Sequence, residues 1–292
     1  MPASNCIHHF TVDVEEYFHV NAFEGVISRS DWDRWPRRLA ETMPVLLDRL
    51  AAHGAKGTFF TLGWVADKTP DVVRQIVAGG HEIASHGYWH RRVPVLSASE
   101  FRDDVRRARA SLENVAGEAV TGFRAPSFSI IPGFEWAFDV LLEEGYVYDS
   151  SVFPIRRRGY GNPSAPRVPY VIRRASGNLV EFPLTTTSVA GYRVPAAGGG
   201  YLRQFPFSVV RRAFREADVS GVGGTFYIHP WEIDPDQPRI PVSLLTRIRH
   251  YRGLDQTLPR IERLLSEFRF GAMGPNAAAV THAAERAAAS PA

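Results

Sequence analysis

The chain has 292 residues, 45% of them hydrophobic and 22% charged, with a formal net charge of +3. That length suits one large domain with a substantial core, and the composition is that of an ordinary globular protein. Its cations are dispersed arginines with no lysine-rich block, which argues against nucleic acid as the main partner. Cys6 is the only cysteine, so an intrachain disulfide is excluded and a reducing compartment is allowed. No window approaches the roughly 20 apolar residues of a transmembrane segment, and Met1 to Asn5 show no basic-then-apolar leader pattern. The expectation is a cytoplasmic, enzyme-sized protein.

In chain order, Ile7 to Val14 predicts a first strand, β-branched and aromatic, ending in the acidic run Asp13, Glu15, Glu16. Trp35 to Ala52 carries helical spacing, with Pro44 taken as a helix start. Gly57 to Leu62 reads as a buried strand and Asp71 to Ala78 as a short helix after Pro70. A strand His81 to Ser85 runs out at His86, and Ser99 to Val115 is an amphipathic helix capped by Ser97 or Ser99. Val120 to Arg124 is the next strand. A helix near Phe134 to Glu143 leads to Tyr146 to Asp149, and Phe153 to Pro169 reads as a long surface loop. Leu179 to Leu184 and Gly224 to His229 are strands, Gly198 to Gly200 a mobile turn or close backbone approach. Helices are expected over Pro206 to Ala217, Val242 to Tyr251 and Leu258 to Phe268. The alanine-rich stretch 274–292 has little to bury and reads as a disordered tail beyond a single 1–273 domain.

Alternating strands and helices point to a parallel α/β architecture. Asp13, His86, Arg124, Asp149 and His229 all fall at strand ends, where catalytic groups gather in a parallel barrel. His86 and His90 lie four apart, and one helical turn after the strand would aim both imidazoles at one cation. Asp13 and Glu15, two apart on a strand, face the same way. By contrast His8, His9, His19, His53 and His81 read as structural or surface residues, and His81-Glu82 lacks the second histidine of a zincin motif.

The ordered motifs resemble the polysaccharide deacetylases of the NodB-homology fold, carbohydrate esterase family 4, over Phe10 to about Met273. His86 and His90 match the family's histidine motif, with Gly87 where a hydroxyl residue is common. Arg124-Ala125-Pro126 matches Arg-x-Pro, and Tyr227-Ile228-His229 is similar to the late Leu-x-His motif. Asp149-Ser150-Ser151-Val152-Phe153 resembles the motif in which an aspartate opens an apolar wall. The first motif departs: Thr11-Val12-Asp13-Val14-Glu15-Glu16 stands where Thr-Phe-Asp-Asp is usual, and Asp13-Val14-Glu15 is similar to an Asp-x-Asp variant. Asp13 to Val20, His229-Pro230-Trp231-Glu232, Tyr251 to Leu254 and Phe268-Arg269-Phe270 further resemble the branch associated with exosortase and exopolysaccharide gene clusters.

The resemblance implies a distorted (β/α)7-type barrel that uses a divalent metal (zinc, with cobalt or nickel also suited) to remove acetyl groups from N-acetylated sugars. It implies Asp13 as general base with Arg124 beside it, and His229 as general acid. The metal would be held by Glu15, His86 and His90, with Glu16 the fallback ligand. Pro126, Ser127, Asp149, Tyr201 and Trp231 are the expected substrate-binding residues, the two aromatics as stacking candidates. The expected partner is an N-acetylated polysaccharide or lipid-linked glycan, with peripheral association with exopolysaccharide machinery. Two other readings stay open: hydrolysis of a small cyclic or linear amide by the same site, and a non-catalytic carbohydrate-binding relative.

Overall fold

The computed structural model describes residues 6–157 and 159–289. The leader reading at 1–5, position 158 of the expected loop and the last three residues of the expected tail lie outside the described residues. Eleven strands are present among them: β1 His8–Val14, β2 Thr58–Thr61, β3 Glu82–Ser85, β4 Gly122–Phe123, β5 Tyr148–Asp149, β6 Tyr170–Arg174, β7 Gly177–Glu181, β8 Thr186–Val189, β9 Tyr192–Pro195, β10 Thr225–Ile228 and β11 Phe270–Gly271. The helices are α1 Leu39–Ala52, α2 Gly63–Lys68, α3 Pro70–Ala78, α4 Ala98–Ala116, α5 Trp136–Glu143, α6 Gly199–Gln204, α7 Phe207–Ser220, α8 Leu244–Tyr251, α9 Thr257–Glu267 and α10 Gly274–Ala289.

Seven strands run parallel in the order β10-β1-β2-β3-β4-β5-β7, and β6 adds an antiparallel edge to β7. The gap between β7 and β10 is spanned by single bonds: Thr185 N–H to Thr225 O at 3.2 Å, and Tyr227 N–H to Ala197 O at 2.7 Å. This is the distorted (β/α)7-type barrel expected from the sequence. Every residue of β1 is buried, as a strand paired on both sides and covered by helices must be. Its polar members His8, His9, Thr11 and Asp13 therefore need partners inside the protein.

Several local expectations are corrected. Pro44 lies inside α1, five residues after its first residue. The helix starts earlier because the Glu16 carboxylate, distant in sequence, accepts from the Arg38 and Leu39 backbone N–H groups at 2.8 and 3.3 Å. That supplies the first turn with the acceptor the local sequence lacks. The stretch expected as a disordered tail is helix α10 through Ala289. It is fixed by Gly274 N–H to Glu82, by Asn276 beside His9, and by the burial of Met273 and Ala277. Phe153 and Ile155, inside the expected surface loop, are buried in an apolar cluster with Phe128 and Leu184. Gly198 to Gly200 is no mobile turn. Gly199 opens α6, and a Cβ there would stand 2.6 Å from the Glu232 carboxylate. Close backbone approach is the reason for glycine at this point.

Candidate active site

At the carboxyl ends of the strands, Glu15, His86 and His90 each offer a ligand atom within 4.8 Å of the other two, and all three are buried. Glu15 lies one residue beyond β1, where its N–H turns back to the Asp13 carbonyl at 3.0 Å. The Asp-x-Glu spacing brings both carboxylates to one cavity, as strand alternation requires. Glu15 Oε2 is 2.7 Å from His90 Nε2. Its Oε1 faces Trp231 Nε1 at 3.3 Å and His229 Nε2 at 3.4 Å. Burial alone would raise the Glu15 carboxyl, but His90 and His229 outweigh it and hold the group well below the usual carboxylate range.

The histidine pair does not sit on a helical turn. After His86 the chain bends through Gly87 at φ 73°, and His90 itself is left-handed at φ 51°, a conformation rare outside glycine and asparagine. Asp104, buried on α4, fixes that bend by accepting from Tyr88 N–H at 2.7 Å and Trp89 N–H at 3.2 Å. A Cβ at Gly87 would stand 2.7 Å from the same carboxylate. That is the physical reason for glycine where related motifs carry a hydroxyl residue. His86 Nδ1–H donates to Arg124 O at 2.8 Å, leaving Nε2 as the lone pair, and burial lowers its pKa to about 4. His86 Nε2 is buried without a hydrogen-bond partner, and Glu15 Oε2 meets only Nε2 of the buried His90 ring. A divalent cation fits this buried set of two imidazoles and one carboxylate.

Asp13 and Arg124 form a buried ion pair, Oδ1 to Nη1 at 2.6 Å. The guanidinium is held on every side: Nη1 donates also to Thr11 Oγ1, Nε to Ser150 O and Nη2 to Ser150 Oγ, at 2.8 to 3.0 Å. Asp149 lies behind this pair and does not face the cavity. It is completely buried, and its carboxylate takes the Ser151 N–H and hydroxyl at 2.9 and 2.7 Å. The expected substrate contact is thus corrected to a support for the segment that grips Arg124.

His229 follows β10, and its side chain is 19% exposed where those of Glu15 and Asp13 are 2%. It is the group of the set that solvent can reach. Its Nδ1–H donates to Glu232 Oε1 at 2.8 Å, and Nε2 points inward, 3.9 Å from Asp13 Oδ2. Burial lowers its pKa, against the pull of Glu15 and Asp13. Glu232 is paired on its other oxygen with the buried Arg203. Burial lowers the Arg203 pKa to about 10.

Two expectations around the site change. Trp231 is 7% exposed and stacks on both His229 and His250, at 4.9 and 4.2 Å between centroids. It is a packing element, not an open sugar platform. Glu16, spent on the start of α1, is not a ligand, and burial raises its pKa to about 7. Tyr201 is half-buried and bonded to Tyr160 through the hydroxyls at 2.9 Å, in a wall with Phe153. Pro126 opens the turn after Arg124, where Ser127 and Phe128 both have positive φ, and Ser127 Oγ accepts from Asn21.

The sequence reading missed Asp104 and the holding role of Glu232. The first could have been found as a carboxylate in the apolar stripe Phe101, Val105, Ala108, Leu112 of α4. The second carries His-x-x-Glu spacing, a capping-box signature.

Two stretches of the chain match known family models. Residues 31–131 match the polysaccharide deacetylase family model, and 150–277 match a domain of unknown function, DUF3473. Over residues 31–131 the chain is thus similar to the polysaccharide deacetylase family. The histidine pair and Arg124 lie in the first match, His229 and Glu232 in the second, and Asp13 and Glu15 before either. A peptidoglycan-N-acetylglucosamine deacetylase of Bacillus cereus is 33% identical over 129 residues, 42% of this chain and 46% of that one. The chain spans no more than about half the length of the curated relatives it matches. Among solved structures, a Mycobacterium smegmatis protein described as a polysaccharide deacetylase superposes with TM-score 0.66 at 20% identity, over 97% of this chain and 93% of its own. Puue allantoinase gives 0.63 at 18%, over 97% and 92%. The likeness to both is one of fold.

Proposed function

We propose that this protein is a deacetylase that hydrolyses the N-acetyl group of an N-acetylhexosamine unit in a polysaccharide, an exopolysaccharide or its lipid-linked precursor, releasing acetate. What supports this is one arrangement: the buried Glu15, His86 and His90 atoms beside the Asp13–Arg124 pair, with His229 opposite. Those three residues would hold a divalent cation of the zinc, cobalt or nickel type. Such an ion, when bound, supplies a Lewis acid for the acetamide carbonyl.

The remaining work falls to the chain's own groups. Asp13 takes the proton of the attacking water, and Arg124 keeps its carboxylate aimed into the cavity. His229 protonates the departing nitrogen through Nε2. An amide nitrogen leaves poorly unless protonated, so an acid opposite the base is required. Glu232 holds Nδ1–H and so fixes the ring's orientation. Trp231, packed against His229, keeps water from that flank.

Acetate release from N-acetylglucosamine oligomers, measured with and without chelator, tests the reading. Activity that survives full metal removal overturns the mechanism. Turnover of allantoin or formamides with none on any N-acetylated sugar moves the substrate to small amides.

A further inference from the structure

Helix α8 closes the rim beside this site and carries an unusual surface. Leu244, Leu245 and Ile248 are 59, 68 and 43% exposed, although isolated apolar residues on a globular surface need no explanation. What distinguishes these is their setting. From Pro238 to Leu254 the chain has four arginines, Arg239, Arg247, Arg249 and Arg252, and no acidic residue. Asp236 and Asp255 bracket the segment. All four arginines are exposed. None forms an ion pair with a carboxylate among the described residues, and Arg239 instead lies over the Tyr251 ring. Elsewhere about half of the exposed arginines do find such partners, as Arg106 does with Glu144 and Arg212 with Glu216.

The angular order on the helix is equally specific. At about 100° per residue, with Leu244 at zero, Ile248 and Leu245 fall near 40° and 100°, Arg247 near −60° and Arg249 near 140°. A basic side chain thus flanks the apolar strip on each side. His250, near 240°, turns inward, where it is buried against Trp231 and Phe23.

We propose that α8 is a membrane-docking element that seats the rim of the active site on an anionic lipid bilayer, with Leu244, Leu245 and Ile248 entering the acyl boundary and the flanking arginines reaching the phosphates. Charge complementarity selects this occupant. A second copy of the chain meeting the same face across a two-fold axis would set four arginines against four. An acidic polymer in water would engage the arginines and leave the leucines without a use. The inference goes beyond the proposed hydrolysis, because it concerns where the enzyme works. The stack His250–Trp231–His229 ties the docking face directly to the site, so a docked molecule presents its cavity to a substrate held at the lipid surface.

The test is cosedimentation of the full chain with phosphatidylcholine vesicles containing or lacking phosphatidylglycerol. Binding is expected only with the anionic lipid and falls as salt rises. R247Q/R249Q weakens it roughly 25-fold, about fivefold per arginine. R247K/R249K retains most of it, and L244S/I248S loses it without changing the melting temperature. Hydrolysis of a soluble chitooligosaccharide stays unchanged in all three, and vesicle binding is readable even if that activity is absent. Equal binding to neutral vesicles, unchanged binding of L244S/I248S, or dimers that dissociate on L244S/I248S would each overturn the proposal.

Discussion

The two ends of the barrel both carry buried histidines beside acids, yet they use them in opposite ways. At the amino ends of the strands, His8 and His81 accept backbone N–H groups at Nδ1, from Gly224 and Gly57, each at 3.1 Å. The proton of each neutral ring must then sit on Nε2. His8 directs that nitrogen at Asp218, 3.0 Å away. At the carboxyl ends, His86 and His229 donate from Nδ1, to the Arg124 carbonyl and to Glu232, so that Nε2 is left for the site: a lone pair on His86, and on His229 the position that would carry the acid's proton. The polarity of parallel strands accounts for the backbone partners of His8, His81 and His86, since one rim presents free N–H groups and the other free carbonyls, whereas His229 is set by a side chain. Cys6, His8 and Asp218 are spaced closely enough to hold a cation, but the Gly224 bond occupies the proton-free nitrogen of His8. Proximity of ligand-type residues is therefore a weaker criterion than which ring nitrogen the backbone has already taken.

Substitution at both ends tests that contrast most severely. His86→Ala is expected to abolish bound metal, read by elemental analysis, and to lower deacetylation by on the order of 10³-fold or more, the scale of a lost Lewis acid. His8→Ala should leave the metal content unchanged. If it too emptied the protein of metal, the tautomer argument would fail. Asp13→Asn should keep the metal while turnover drops roughly 10² to 10⁴-fold, as for a lost general base. Asp104→Asn sharpens the comparison one layer out. Releasing the Tyr88 and Trp89 amides should weaken metal affinity about 10 to 100-fold, with turnover recovered at saturating metal. The smallest effect lies at the amino end. Burial lowers His9 to about 3 and His81 to about 4. Both are below the ordinary histidine value, so the stability they contribute is present above about pH 6.5 and lost as pH falls toward those values. His81→Gln should flatten the acid limb of the melting temperature between about pH 6.5 and 4; an unaltered limb would show that His81 does not contribute to it.

Much of the fold was legible because parallel strands announce themselves as short apolar runs between helical stretches. Asp13, His86, Arg124 and His229 were legible as chemically capable residues where those runs stop. The roles of Asp149 and Trp231 were not. Asp149 ends a strand and Trp231 neighbours His229 in sequence, and only the hydrogen bonds of Ser151 to one and the packing of His250 against the other reveal that they serve as supports. The choice between Glu15 and Glu16 was unreadable for a similar reason. It depends on the start of α1, more than 20 residues away, claiming Glu16 as its cap. Helix α2 and strand β6 escaped notice because six- and five-residue elements leave too little periodicity to read.

The Asp104 tether also bears on how the protein can be handled. Zinc fingers spend their metal-binding free energy on folding and collapse when stripped. Here the left-handed His90 and the bend at Gly87 are held by α4, so the fold itself would position the proposed ligands. Chelation should then be a reversible exchange on a folded scaffold. Different metals could be loaded into one preparation, and the rise in melting temperature with each ion's concentration would report its affinity alone.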